Sequence, residues 1–188
     1  GGATLSADGK KLSVKLELQS GLKWSDGQPV TSQDIVFTWQ TYMKDPKTVS
    51  RTGFNDIEGI DTPNELTAVV NYKTVYAAYP LNFAALIPKH LLQNEADISK
   101  TDYIRRPLGT GPFKITEFKA GESITAERNP NYRVSGKPYL DKIIFKSVPS
   151  SQVAIAQLKA GEVHGMWNLV ESEAADAEKD PTITLVIS

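Results

Sequence analysis

The chain has 188 residues, 40% hydrophobic and 23% charged, with a formal net charge of −1 and no cysteine. That length suits one large domain or two small ones, and the balanced charge leaves no basic field to draw the chain to nucleic acid or an anionic membrane. No apolar run reaches the roughly 18 to 20 residues of a membrane span, and without thiols there are no disulfides and no cysteine-ligated zinc or iron–sulfur sites.

Thr4 to Leu18 reads as a hairpin about the Asp8-Gly9 turn, with Leu12, Val14, Leu16 and Leu18 alternating with polar residues. Its incoming strand is a stub, as expected of a piece of a longer protein. Asp26-Gly27 makes a second turn. Thr31 then caps a helix, with Asp34 in the capping-box position and Ile35, Val36, Trp39, Tyr42 and Met43 on one face. The helix should stop near Lys44, ahead of Asp45-Pro46. Ile57 to Ile60 and Leu66 to Tyr72 predict two strands around Asp61-Thr62-Pro63-Asn64. Tyr76 to Leu86 is apolar and aromatic without a clear period. A short helix follows from Pro88, and residues 97–107 read as a surface loop.

A second pattern starts at Gly109. Phe113, Ile115 and Phe118 suggest a strand, and Ala120-Gly121-Glu122 a turn. Ile124 to Arg128 returns, and Leu140 to Val148 adds another strand. Ser150 or Ser151 caps a helix that ends at Gly161, where a C′ glycine belongs. Beyond it the pattern predicts a strand over Val163 to Leu169, a polar helix over Glu171 to Lys179 and a last strand over Ile183 to Ile187.

Candidate chemistry is sparse. Gly109-Thr110-Gly111-Pro112 fails as a phosphate loop: the glycine spacing is wrong, Pro112 has no N–H, and a strand follows where a helix is needed. It reads as a structural crossing, in which glycine supplies unusual backbone angles and proline stiffens the strand entry. His90 and His164 lie far apart, outside any HxH or HExxH pattern, so no metal or cofactor site is expected. No Gly-x-Ser-x-Gly elbow is present, and no nucleophile–base pair stands out. Trp39 belongs to the apolar helix face. Trp24 fits packing or a cleft-facing position, and Trp167 fits both equally.

Three stretches together resemble the family 5 extracellular solute-binding proteins, the oligopeptide, dipeptide and nickel receptors of ABC importers. The first is LELQSGLKWSDGQPVTSQDIVFTW, with Trp24, Asp26, Gly27, Pro29, Thr31, Asp34, Ile35 and Phe37 in the family's places. The second is LGTGPFKITEFKAGESITAERNPNYR, with Arg128, Asn129, Pro130 and Tyr132. The third is YLDKIIFKSVPSSQVAIAQLKAGEVHG, in which His164 stands where members carry Asp.

The resemblance implies a mixed α+β, periplasmic-binding-protein-like fold, incomplete here. Residues 1–108 would form a small extra domain, 109–170 part of a first main lobe, and 171–188 the start of a second. Gly109, Thr110, Gly111 and Pro112 would be the interlobe crossing. It also implies a non-enzymatic receptor, periplasmic or on a cell-surface lipid anchor. Such a receptor closes two lobes on a peptide or other small solute and delivers it to the transmembrane permease subunits. A receptor for a nickel chelate or sugar is the alternative, as is a docking module for a partner protein. Trp24, Asn82, Phe83 and Trp167 are the candidate ligand contacts, chosen as aromatic and amide side chains near loop ends.

Overall fold

The structure, a computed structural model, describes residues 2–44, 50–167, 173, 174, 177–184 and 186. Contacts divide the chain into two compact units: residues up to Glu117 with Thr125–Ile143, and Phe118–Ile124 with residues from Ile144 onward. Residues 109–112 lie inside the first.

The first unit is built on an antiparallel sheet of order β1-β2-β4-β3. Its strands are β1 (Gly2–Leu5), β2 (Leu12–Glu17), β3 (Ile57–Asn64) and β4 (Thr67–Tyr72). The Asp8-Gly9 hairpin forms as expected, with Gly9 at φ +68° and Leu5 opposite Leu12. β4 is paired on both sides, by Val14 of β2 and Ile60 of β3 at Val70, and Ala68, Val70 and Tyr72 are buried.

β3 runs farther than its sequence suggests. Asp61 to Asn64 are strand, not turn, and a register shift between Asp61 and Asn64 absorbs Thr62-Pro63. The turn falls at Glu65-Leu66, where the Asn64 side chain accepts the Leu66 N–H at 2.9 Å.

Helix α1 (Ser32–Lys44) begins as its capping box predicts: the Thr31 N–H donates to Asp34 Oδ2 at 2.8 Å. Its Trp39, Tyr42 and Met43 pack on a core of Leu12, Val14, Phe54, Ile57, Val70 and Tyr72. Tyr42 stacks on Phe54 at 4.6 Å, and the Trp39 indole donates to the Phe54 carbonyl at 3.2 Å. The aperiodic segment after Tyr76 closes this core through Tyr76, Tyr79 and Phe83. Helix α2 (Lys89–Leu92) follows Pro88, and two short 3₁₀ turns, Ile98–Lys100 and Asp102–Ile104, break the expected loop.

A second sheet has the order β5-β6-β7, with β5 Phe113–Lys119, β6 Ser123–Arg128 and β7 Lys142–Lys146. Helix α3 (Ser151–Lys159) belongs to the second unit. Ser150 caps it, accepting from the Val153 N–H at 3.3 Å. Gly161 closes it at φ +73°.

The strand expected over Val163 to Leu169 does not form among its described residues, 163–167. The Glu162 and Val163 N–H groups are spent on the Gln157 carbonyl at the helix end, which turns the chain back. Of the expected last strand, Ile183, Thr184 and Val186 are not in a ladder, and residues 185 and 187 lie outside the described residues. Of the polar helix over 171–179, residues 173, 174 and 177 are helical, and 171, 172, 175 and 176 are likewise outside.

Candidate functional site

Three motifs far apart in sequence meet in the first unit. The turn Trp24–Gln28 is shaped by Asp26, whose Oδ1 accepts the Gln28 N–H at 3.0 Å, and by Gly27 at φ +93°. Ser25 of that turn donates its N–H to the Gly109 carbonyl at 2.9 Å and accepts from Asn131 Nδ2 at 3.3 Å. Buried Asn129 completes the junction. Its Nδ2 donates to the Gly111 carbonyl at 2.8 Å, its N–H to the Pro112 carbonyl at 2.9 Å, and its Oδ1 accepts the Asn131 N–H at 2.9 Å.

So the Gly-Thr-Gly-Pro stretch offers carbonyl oxygens to neighbouring backbone and amide groups. Carbonyl lone pairs repel phosphate, and the geometry is that of a strut. One expectation is corrected. Neither Gly109 nor Gly111 sits in the left-handed region, and a side chain at Gly111 would meet open space. The stretch is held by its hydrogen bonds, with neither glycine at positive φ.

The four candidate contacts are distributed as follows. Trp24 is 2% exposed, with its ring 6.3 Å from that of His90, and its indole N–H has no hydrogen-bond partner among the described residues. Asn82 is buried against Gly53, and its Nδ2 donates to the Tyr72 hydroxyl at 3.3 Å. Burial pushes that Tyr72 phenol up to about 12, against the downward pull of the Asn82 hydrogen bond. Phe83 stands edge-on to Phe54 at 5.4 Å and lines a mainly apolar cleft of ≈ 540 Å³ with Val14, Leu16, Leu18, Ile35 and Tyr79. Trp167, in the second unit, is 68% exposed and rests edge-on against Phe145 at 5.9 Å. Asn82 and Phe83 thus share one core, beside Tyr72 and Phe54. Trp24 is in the turn beside His90.

Two features escape sequence reading. His90 Nε2 lies 2.8 Å from Asp26 Oδ2, and Asp34 accepts the Lys89 N–H as well as that of Thr31. His90 and Asp26 are 64 residues apart, so no local pattern could pair them. Among the described residues no group of three or more His, Cys, Asp or Glu could hold a metal ion, and no helix is long and apolar enough to cross a membrane.

The two sheets and their helices are those of the periplasmic-binding-protein class. The chain belongs to the bacterial extracellular solute-binding proteins, family 5: the model of that family's middle portion matches residues 3–188. The oligopeptide-binding protein AppA of Bacillus subtilis (strain 168) is 30% identical over 182 residues, covering 93% of this chain and 33% of its own. The solved structure of AppA from Bacillus subtilis in complex with a nonapeptide aligns over 95% of this chain and 36% of its own, at a TM-score of 0.78 and 30% identity. NikZ of Campylobacter jejuni in complex with Ni(L-His) aligns over 86% of this chain and 32% of its own, at a TM-score of 0.74 and 27% identity. The chain therefore spans about a third of the length of the relatives it matches.

Proposed function

We propose that this chain is part of an extracytoplasmic receptor of an ABC importer, a non-enzymatic protein that captures a peptide between two lobes and delivers it to the permease. The observation that carries the peptide reading is the likeness to AppA, which covers 95% of this chain and is reported with a bound nonapeptide. The likeness to NikZ with Ni(L-His) favours a second reading, a metal chelate as cargo. In both readings 109–112 is the crossing between the small extra domain, 1–108, and the main lobe that follows.

Trp167 is the ligand contact we favour of the four candidates. It combines exposure with a ring held by Phe145, and a fixed aromatic face suits an apolar or aromatic side chain of an extended peptide. Phe83 lines a cleft and is the second choice. Trp24 and Asn82 are buried, which favours packing over ligand contact for both.

The test is mass spectrometry of small molecules released by denaturing the receptor purified from its host. A ladder of peptides supports the peptide reading and gives its length range. A single chelate, sugar or other solute keeps the receptor and overturns peptide as its cargo. Repeated failure to release or retain any solute, across several ligand libraries, overturns the receptor reading in favour of protein docking.

A further inference from the structure

His90 joins two parts of the chain. On one side its Nε2 lies 2.8 Å from Asp26 Oδ2. Asp26 is already committed to the turn through Oδ1 and the Gln28 N–H. The same turn carries Ser25, which is bonded to Gly109 and Asn131. On the other side stands α2, whose entry hangs on α1: the Ile87 N–H donates to Thr38 Oγ1 and the Lys89 N–H to Asp34 Oδ1, both at 2.8 Å. The donors of those two bonds are backbone N–H groups. The bond to the turn runs through an imidazole.

The groups around that ring can be named. From the turn come the Asp26 carboxylate and the Trp24 indole, with ring centroids 6.3 Å apart. From the start of α1, Thr31 and Asp34 line the same ≈ 230 Å³ depression as His90, together with Gln28. Both Asp34 oxygens are taken by backbone N–H groups. From its own side come Gln93, just after α2, and Lys89 of α2, whose Nζ donates to Gln33 Oε1 at 3.1 Å. Asp26 is thus the carboxylate bonded to the ring.

We propose that His90 and Asp26 form a pH-sensitive latch between α2 and the Trp24–Gln28 turn. Histidine ordinarily changes charge between about pH 5 and 8. The neutral ring donates one Nε2–H bond to Asp26. The protonated ring donates a charge-assisted bond to the same carboxylate, and that contact strengthens. The latch is therefore firm where the ring carries its second proton and loosens as pH rises. The side chains of His90 and Asp26 are 32% and 34% exposed, so solvent screens the pair. The effect is that of a part-exposed ion pair, roughly two- to five-fold in a local opening equilibrium.

The test is NMR on the 188-residue chain. Amide exchange at Gln28 and Leu92, corrected for intrinsic rates, is compared between about pH 8 and about pH 5.5, the span in which histidine charges. Protection should rise roughly two- to five-fold toward the acid side. The Trp24 indole cross-peak should move with the same midpoint as the His90 ring protons. His90→Gln, which keeps a neutral donor, and Asp26→Asn, which keeps the acceptor for Gln28, should each abolish the rise. A flat wild-type profile overturns the latch without any variant, and so does an indole midpoint different from that of His90. A rise that survives in either folded variant also overturns it.

Discussion

Strands β4 and β7, TAVVNY and KIIFK, are both rich in β-branched and aromatic residues, yet their surroundings differ. β4 is paired on both sides, and Val70 at its centre is 1% exposed. Helix α1 and the aromatic residues Tyr76, Tyr79 and Phe83 pack against the core that β4 shares. β7 is the edge of its sheet, and Ile144 is 54% exposed. Apolar content therefore marks a strand, and what covers the strand decides how much stability it contributes. Lys142 and Lys146 bracket β7, a placement that discourages pairing of one such edge with another copy.

The comparison is broken or sharpened by matched changes in the two regions. The largest difference is expected for isoleucine truncation. Ile57→Ala, in the first core, should cost about 3.5 kcal/mol by leaving a cavity, whereas Ile144→Ala should stay within about 0.5 kcal/mol. Urea unfolding of both variants checks this, and equal costs would remove the distinction between the regions.

Two left-handed glycines form the next pair. A Cβ at Gly53, φ +78°, would lie 2.6 Å from the Asn82 amide and the Tyr76 ring. Gly53→Ala should therefore cost about 3 kcal/mol from clash and backbone strain together. Gly121, at φ +74° in the β5–β6 turn, has open space around it, and Gly121→Ala should cost only the backbone share, about 1 kcal/mol.

The helix starts give a smaller contrast. Asp34→Ala leaves the Thr31 and Lys89 N–H groups without their acceptor and should cost about 2 kcal/mol. Ser150→Ala removes an exposed cap from α3 and should cost about 1 kcal/mol. Thermal melts of the two variants give the ranking.

The smallest effect shows itself only at alkaline pH. Burial holds the Tyr72 phenol up to about 12, above the usual value of about 10 for tyrosine. A raised folded value favours the neutral phenol, so this share of stability is complete below about pH 10 and is lost as pH rises toward about 12. Urea midpoints at about pH 9 and pH 11 should fall in the wild type and fall less in Tyr72→Phe.

Much of the local structure was legible in the residues. Asp8-Gly9 carries its hairpin, Thr31 with Asp34 the start of α1, and Ser150 with Gly161 the two ends of α3. Each is a short-range hydrogen bond or backbone preference, written within a few neighbouring residues. The three motifs that resemble the solute-binding family were legible for the same reason. The path of β3 through Asp61 to Asn64 was not, because the bulge that admits Pro63 is set by pairing with β4.

What tertiary structure alone decided is which distant residues meet. Ser25 bonds Asn131 across 106 positions, and Asp26 meets His90 across 64. These bonds depend on how the chain packs, and packing has no local signature in sequence. The same holds for Asn82 and Phe83, two polar-and-aromatic neighbours in a segment without period, whose burial was settled by the space left beside Gly53 and Phe54.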